Sequence, residues 1–312
     1  MTQEKRREVN RTIVAHAREI LKETGAVAII LFVDALADRD LWKKSRNKKK
    51  FILVTQDEET LSEMEKFKGE FLGTIKLPGV KLTRMSQIKL SAVTCITSGI
   101  VKTSDKIISV TGRPGSGVLD TMVLLDLSRE SEIISTTGIT KELLKHVKPE
   151  VLKVVLNLAV ELASEGREGK PAGTTFVVGD NEKVEKLSRP LIMNPFKGYP
   201  EEVRNILDPE VHETVKEFSI LDGAIIIRED GVVTAAGVHL DAALKEEGLL
   251  PGLGSRHMAA AGITDVTDAV AITISGSTGT VRVFKNGRAI LKIERSPDTR
   301  QDHTPGGALP RR

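Results

Sequence analysis

Ala26-Val27-Ala28-Ile29-Ile30-Leu31-Phe32-Val33 runs apolar without a break. A strand with one wet face alternates polar and apolar residues. A run without alternation fits a strand covered on both faces, as in a parallel sheet between helices. Upstream, Val9, Ile13, Ala17, Ile20 and Leu21 recur at helical spacing, and Gly25 stands where a left-handed C-cap ends a helix. Downstream, Phe51-Ile52-Leu53-Val54-Thr55 repeats the apolar run, and Asp57 is placed to cap a helix through about Phe67. Three more strands are predicted over residues 71–76, 106–110 and 122–127. Strand alternating with helix predicts a doubly wound, parallel α/β domain over residues 1–135.

A polar link at 135–141 separates this from a second unit over residues 140–295. From Pro149, the residues Val151, Leu152, Val155, Leu158, Ala159 and Leu162 leave little polar face, which predicts a helix buried against a sheet and ended by Gly166. The strand Thr175-Phe176-Val177-Val178 follows, then loop and helix over 194–216 with Pro200 and Pro209 at first-turn positions. A hairpin is predicted over 224–228 and 232–240 around Glu229-Asp230-Gly231. Ser255 opens an Ala-rich helix, residues 270–274 and 280–284 form a strand pair, and Asn286-Gly287 turns into a strand over 289–293. Residues 296–312, rich in Pro, Gly, Asp and Arg, read as a flexible tail.

The chain has 312 residues, 40% apolar and 29% charged, which suits two globular domains. With 46 basic against 43 acidic residues the net charge is +3, so no broad basic field for nucleic acid exists. The exception is Lys43-Lys44-Ser45-Arg46-Asn47-Lys48-Lys49-Lys50, either a phosphate or nucleic-acid contact or a solvated loop. Cys95 is the single cysteine, which excludes an internal disulfide or a cysteine-based zinc site. No apolar run reaches the roughly 20 residues of a membrane span, and the charged N-terminus is unlike a secretory signal. A cytoplasmic protein without a membrane partner is expected.

Two stretches carry chemistry. Leu221-Asp222-Gly223-Ala224-Ile225-Ile226-Ile227 sets a carboxylate and a glycine at the mouth of a buried strand. Gly252-Leu253-Gly254-Ser255-Arg256-His257-Met258-Ala259-Ala260-Ala261 lets backbone approach a ligand through its glycines and then starts a helix. The unpaired N–H groups and positive dipole end of that helix suit an anion. Ser255 fits an N-cap or a phosphate hydroxyl, while Arg256 and His257 add a cation and a metal-binding ring at the same end.

In this order and spacing, with Val238-His239-Leu240 between them, these stretches resemble the diadenylate cyclase domain, whose hallmark is Asp-Gly-Ala and then Gly-Thr-Arg-His-Arg. The flanks agree: Gly173-Thr174-Thr175-Phe176-Val177-Val178-Gly179-Asp180, Ser188-Arg189-Pro190, Asn194-Pro195-Phe196-Lys197-Gly198, Leu207-Asp208-Pro209, and Val281-Arg282-Val283-Phe284-Lys285-Asn286-Gly287. Ser255 replaces the family Thr, Met258 replaces its second Arg, and Ser275-Gly276-Ser277-Thr278-Gly279 stands where many members carry acids.

The resemblance implies a DAC-type mixed sheet flanked by helices and the joining of two ATP into cyclic di-AMP. It implies a homo-oligomer built on a face-to-face dimer. Asp222 is expected to orient or deprotonate a 3′-hydroxyl beside Mg2+ or Mn2+, and Gly223, Ala224 and Leu240 to hold sugar and base. Gly254, Ser255 and Arg256 would receive the triphosphate, with Met258, Ala259 and Ser275 completing the nucleotide site. His257 would be a phosphate donor or, with Asp222, a metal ligand. A non-catalytic ATP or cyclic di-AMP sensor is the alternative.

Gly25-Ala26-Val27-Ala28-Ile29-Ile30, the Phe51 run with Gln56-Asp57-Glu58, and Val101-Lys102-Thr103-Ser104-Asp105-Lys106-Ile107-Ile108-Ser109-Val110-Thr111-Gly112 resemble the C-terminal domain of pyruvate kinases. That implies a regulatory or assembly role. Thr111-Gly112-Arg113-Pro114-Gly115-Ser116-Gly117 is then either an anion loop or a plain turn, and it is not a P-loop, since no Gly-Lys-Ser/Thr follows.

Overall fold

The computed structural model describes residues 1–38, 41–44, 47–128, 146–166, 172–242 and 254–296. The expected link at 135–141, Gly252, Leu253 and the tail beyond Ser296 lie outside the described residues. Among the described residues, no helix is long and apolar enough to cross a membrane.

The run that opens at Ala26 becomes β1 (Ala28–Phe32), the middle of a five-stranded sheet. Its neighbours are β2 (Phe51–Thr55) and β4 (Lys106–Thr111), and the edges are β3 (Gly73–Lys76) and β5 (Thr121–Asp126), in the order β3-β2-β1-β4-β5. β1 to β4 are parallel, as expected for a doubly wound sheet. β5 departs from that expectation and runs antiparallel to β4. The residues between them are too few for a crossover helix, which takes about a dozen.

Alternation decides which helix each strand residue meets. Ile29, Leu31, Phe51, Leu53, Ile108 and Val110 pack with Val14 and Ala17 of α1 (Gln3–Thr24) and Met64 of α2 (Glu58–Glu65). Ala28, Ile30, Ile52, Val54 and Ile107 face α3 (Arg84–Thr97). Gly25 ends α1 at φ +69°. α3 was not predicted, because Ser86, Gln87, Ser91 and Thr94 are buried among its apolar residues and blur the helical stripe. Two of those hydroxyls are satisfied within the helix: Ser91 donates to the Ile88 carbonyl at 2.9 Å and Thr94 to that of Leu90 at 2.8 Å.

The Thr111–Gly117 loop fits the plain-turn reading. Buried Asn10 donates to the Gly117 carbonyl at 3.0 Å and accepts from the Leu119 N–H at 2.8 Å, and the Gly115 N–H donates to the Asp34 carbonyl at 3.0 Å. The lysine stretch is also tied down. Lys43 pairs with Glu63, and Lys48 with Glu70 at 2.6 Å.

The second sheet has seven strands in the order β12-β11-β10-β6-β8-β9-β7. They are β6 (Thr175–Val178), β7 (Ser188–Pro190), β8 (Ala224–Ile227), β9 (Val233–Leu240), β10 (Val270–Ile274), β11 (Val281–Lys285) and β12 (Arg288–Ile293). β6 and β8 are parallel and the other pairings antiparallel, so the sheet is mixed as expected. Phe176, Val178, Ile225, Ile227 and Ile272 face α4 (Pro149–Glu165), which also packs on α6 (Pro209–Phe218). Val177, Ala224, Ile226, Ala271 and Phe284 face α7 (Ser255–Val266). α5 (Asn181–Lys186) and β7 were not predicted, being short; Pro190 sits at the sheet edge, where a missing N–H breaks no ladder.

α3 packs against α4 and β12, so one apolar core runs through both sheets. Backbone seals the seam: Thr83 N–H donates to the Glu294 carbonyl at 3.2 Å, Glu294 N–H to Ser86 Oγ at 2.7 Å, and Ser296 N–H to the Lys81 carbonyl at 2.9 Å.

Candidate active site

The site forms where β8 begins beside the start of α7. Gly223 takes φ +100° and its Cα lies against β9; a Cβ there would meet the Val238 backbone N and O at 2.7 Å. Glycine thus lets β8 enter the ladder at Ala224, opposite Val238, and leaves Asp222 just outside. The Asp222 side chain is 87% exposed. Its Oδ1 accepts from the Gly223 N–H at 3.2 Å and from Arg256 Nη2 at 3.3 Å. An exposed ion pair of this kind contributes about 1 kcal/mol or less, so a phosphate or hydroxyl displaces it at little cost.

α7 brings its N-terminus to the same place. The N-cap is Gly254, in extended backbone and without a side-chain cap, and Ser255 is the first helical residue. This corrects the expected N-cap role of Ser255: its hydroxyl is not used on the helix's own N–H groups. Arg256 Nε is buried without a hydrogen-bond partner.

Two cavities meet at this helix start. One, about 190 Å3, is lined by Asp222, Gly223, Ala224, Val238, Leu240 and Ala259 together with Thr175, Leu191 and His239. The other, about 440 Å3, is lined by Gly254, His257, the 274–278 loop with Ser275, Ser277 and Thr278, and Arg282. Ser255 and Arg256 line both. The first offers apolar walls with one carboxylate at the rim; the second offers hydroxyls, guanidinium groups and the positive end of α7. The sequence reading gives no site role to Thr175, Leu191, Val238, Ser277, Thr278 or Arg282. Arg282 left one signal, a charged residue between the apolar Val281 and Val283. Met258 lines neither cavity.

His257 is 6% exposed, with its ring edge-on to Phe284 at 6.0 Å. Its Nε2 lies 3.1 Å from Arg282 Nη1. A guanidinium only donates, so Nε2 accepts and the ring proton sits on Nδ1. Burial first, then the charges of Arg282 and Arg256, push its pKa down to about 4. His257 is therefore neutral near pH 7, and the expected metal-ligand role does not fit, since Nε2 faces a cation. Among the described residues no group of three or more His, Cys, Asp and Glu side chains could hold a metal ion. Asp222 is the one carboxylate among the described residues lining the two cavities.

Residues 161–289 match the family model described as "DisA bacterial checkpoint controller nucleotide-binding", and residues 10–133 match "Probable sensor domain DacZ_P". A diadenylate cyclase of Methanocaldococcus jannaschii is 33% identical over 301 residues, spanning 90% of this chain and 96% of that protein. The chain belongs to the diadenylate cyclase family. A second diadenylate cyclase, from Haloferax volcanii, is 43% identical over 146 residues, 47% of this chain and 53% of that protein. A solved structure described as a hypothetical membrane spanning protein from Bacillus cereus is 21% identical and covers 51% of this chain and 71% of that one, with a TM-score of 0.38. Within this diadenylate cyclase the nucleotide-binding match contains every residue named for the two cavities, and the sensor match contains the first sheet. The comparisons do not bear on the pyruvate kinase likeness.

Proposed function

We propose that the chain condenses two ATP into cyclic di-AMP and two pyrophosphates at the cleft between β8 and α7. The observation that carries this reading is the junction of an apolar and a polar cavity at Asp222 and Arg256, in a chain of the diadenylate cyclase family. The adenosine occupies the smaller cavity against Val238, Leu240 and Ala259. The phosphates lie along Ser255, Arg256 and the α7 N-terminus. That leaves the 3′-hydroxyl near Asp222, which accepts its hydrogen bond and holds it in line for attack. Each 3′-oxygen bonds to the other nucleotide's α-phosphorus, the bond to the β-phosphate oxygen breaks, and pyrophosphate leaves. Reaction of this type rests on positioning and charge neutralisation more than on covalent help from the protein.

Diadenylate cyclases are generally dependent on a divalent metal. The donor set here, one exposed carboxylate beside a phosphate-sized cavity, fits a hard cation such as Mg2+ or Mn2+ shared between Asp222 and the nucleotide. Such an ion would offset charge on the phosphates.

One site holds one ATP, and closing the ring needs two. A second copy facing the first supplies the other hydroxyl and phosphate, which makes the active species a symmetric homo-oligomer. The sensor-like first sheet, joined to the catalytic half through α3, is the regulatory part. Incubating the purified chain with ATP and Mg2+ or Mn2+ and separating the nucleotides tests the reading. Cyclic di-AMP with two pyrophosphates per product is expected; ATP bound and returned unchanged would favour the sensor alternative.

A further inference from the structure

Arg282 stands on β11 opposite Thr273 of β10, on the sheet face that α7 covers. Burial lowers its pKa and Glu294 raises it. Its one hydrogen bond among the described residues is to neutral His257, and no carboxylate forms an ion pair with it there. Arg256 acts with it on the His257 ring, where burial first and then both charges lower the pKa. With Glu294 as the charge acting on it and no direct ion pair among the described residues, this half-buried guanidinium keeps N–H donors free for an anion in the cavity it lines. The cavity it lines is walled by the Ser275, Ser277 and Thr278 hydroxyls. That cavity lies on the far side of Arg256 from Asp222, since Asp222 belongs to the other cavity and Arg256 to both.

We propose that Arg282 binds the β- and γ-phosphates of ATP, the part that departs as pyrophosphate, and that His257 orients its guanidinium. This rests on the cyclase reading for the identity of the nucleotide. An α-phosphate at the Ser255–Arg256 junction puts the rest of the triphosphate into the polar cavity, where Arg282 waits. A planar fork suits phosphate oxygens, and His257 Nε2 holds one arm of that fork in place. Met258 supplies no charge to either cavity, so Arg282 joins Arg256 as the second guanidinium among the described residues that line them.

The test uses the full chain as wild type, Arg282→Gln and Arg282→Lys, titrated with ATP, AMP, pyrophosphate and cyclic di-AMP, with thermal melts alongside. Loss of a charge-assisted bond predicts a ten- to a hundredfold weaker ATP affinity for Arg282→Gln. Pyrophosphate should weaken alike, AMP and cyclic di-AMP should stay within about twofold, and Arg282→Lys should fall between. His257→Asn should weaken ATP in the same direction and by less. Equal loss for ATP, AMP and cyclic di-AMP would mean a merely structural role and overturn the proposal, as would unchanged ATP affinity in Arg282→Gln. The ATP-against-AMP comparison reads binding alone, so it stands or falls separately from turnover.

Discussion

His257 and Asp222 sit at opposite ends of the same few residues, and their surroundings give them different work. Asp222 is exposed at the rim of the apolar cavity, with both of its hydrogen bonds at Oδ1. His257 is enclosed, and its free nitrogen lone pair is spent on Arg282. The low folded-state pKa of His257, about 4, lies below its ordinary value of 6.5. Above 6.5 the ring is neutral whether folded or unfolded. Between about 6.5 and 4 the unfolded chain takes up a proton that the folded chain refuses. Stability is therefore full above the upper limit and is lost as pH falls through the window. Melting temperature should drop between pH 7 and pH 4.5 more steeply in wild type than in His257→Gln, whose amide oxygen still accepts from Arg282. Parallel slopes would contradict the assignment of a neutral, buried ring.

At the scale of elements, what the sequence showed and what it hid divide along one physical line. Unbroken apolar runs announced β1, β2, β6 and β8, because both faces of those strands are covered. The Asp-Gly step before β8 and the glycine-led start of α7 were legible for the same reason: each needs a residue type few positions demand. α3 was not legible, since a helix buried all round tolerates Ser, Gln and Thr once their hydroxyls or amides find backbone partners. β5 was legible as a strand but not in direction, which depends on the length of the connection. Arg282 was hidden because its meaning lies in its neighbour across the fold, not along the chain.

The same helix α3 makes a prediction. Leu90 is fully buried in the core shared with α4, so Leu90→Ala should cost about 2–5 kcal/mol. Trp42, the chain's single tryptophan, lies in the core on the other face of the first sheet. Its fluorescence and the loss of nucleotide binding, read during one thermal melt, should shift down together. A shift confined to Trp42 would mean that the two sheets unfold independently.

For the whole molecule, the shared core makes the first sheet part of the scaffold that holds the candidate cleft, and a sensor placed there connects to it by packing through α3, α4 and β12. On the proposed reading the cleft is half of a reaction centre, completed by a second copy. Specific activity at saturating ATP should therefore rise with protein concentration and level off once association is complete; a flat specific rate in a demonstrably monomeric sample would contradict the facing-sites account. The most direct measurement compares cyclic di-AMP formation by wild type and by Asp222→Asn under saturating ATP and divalent cation, with ATP binding measured on both. The amide keeps the shape of the carboxylate and removes its charge. The account predicts cyclic di-AMP from the wild type, at least a hundredfold less from Asp222→Asn, roughly the scale of losing one positioned acid–base group, and near-equal ATP binding. Near-normal turnover by Asp222→Asn would contradict it.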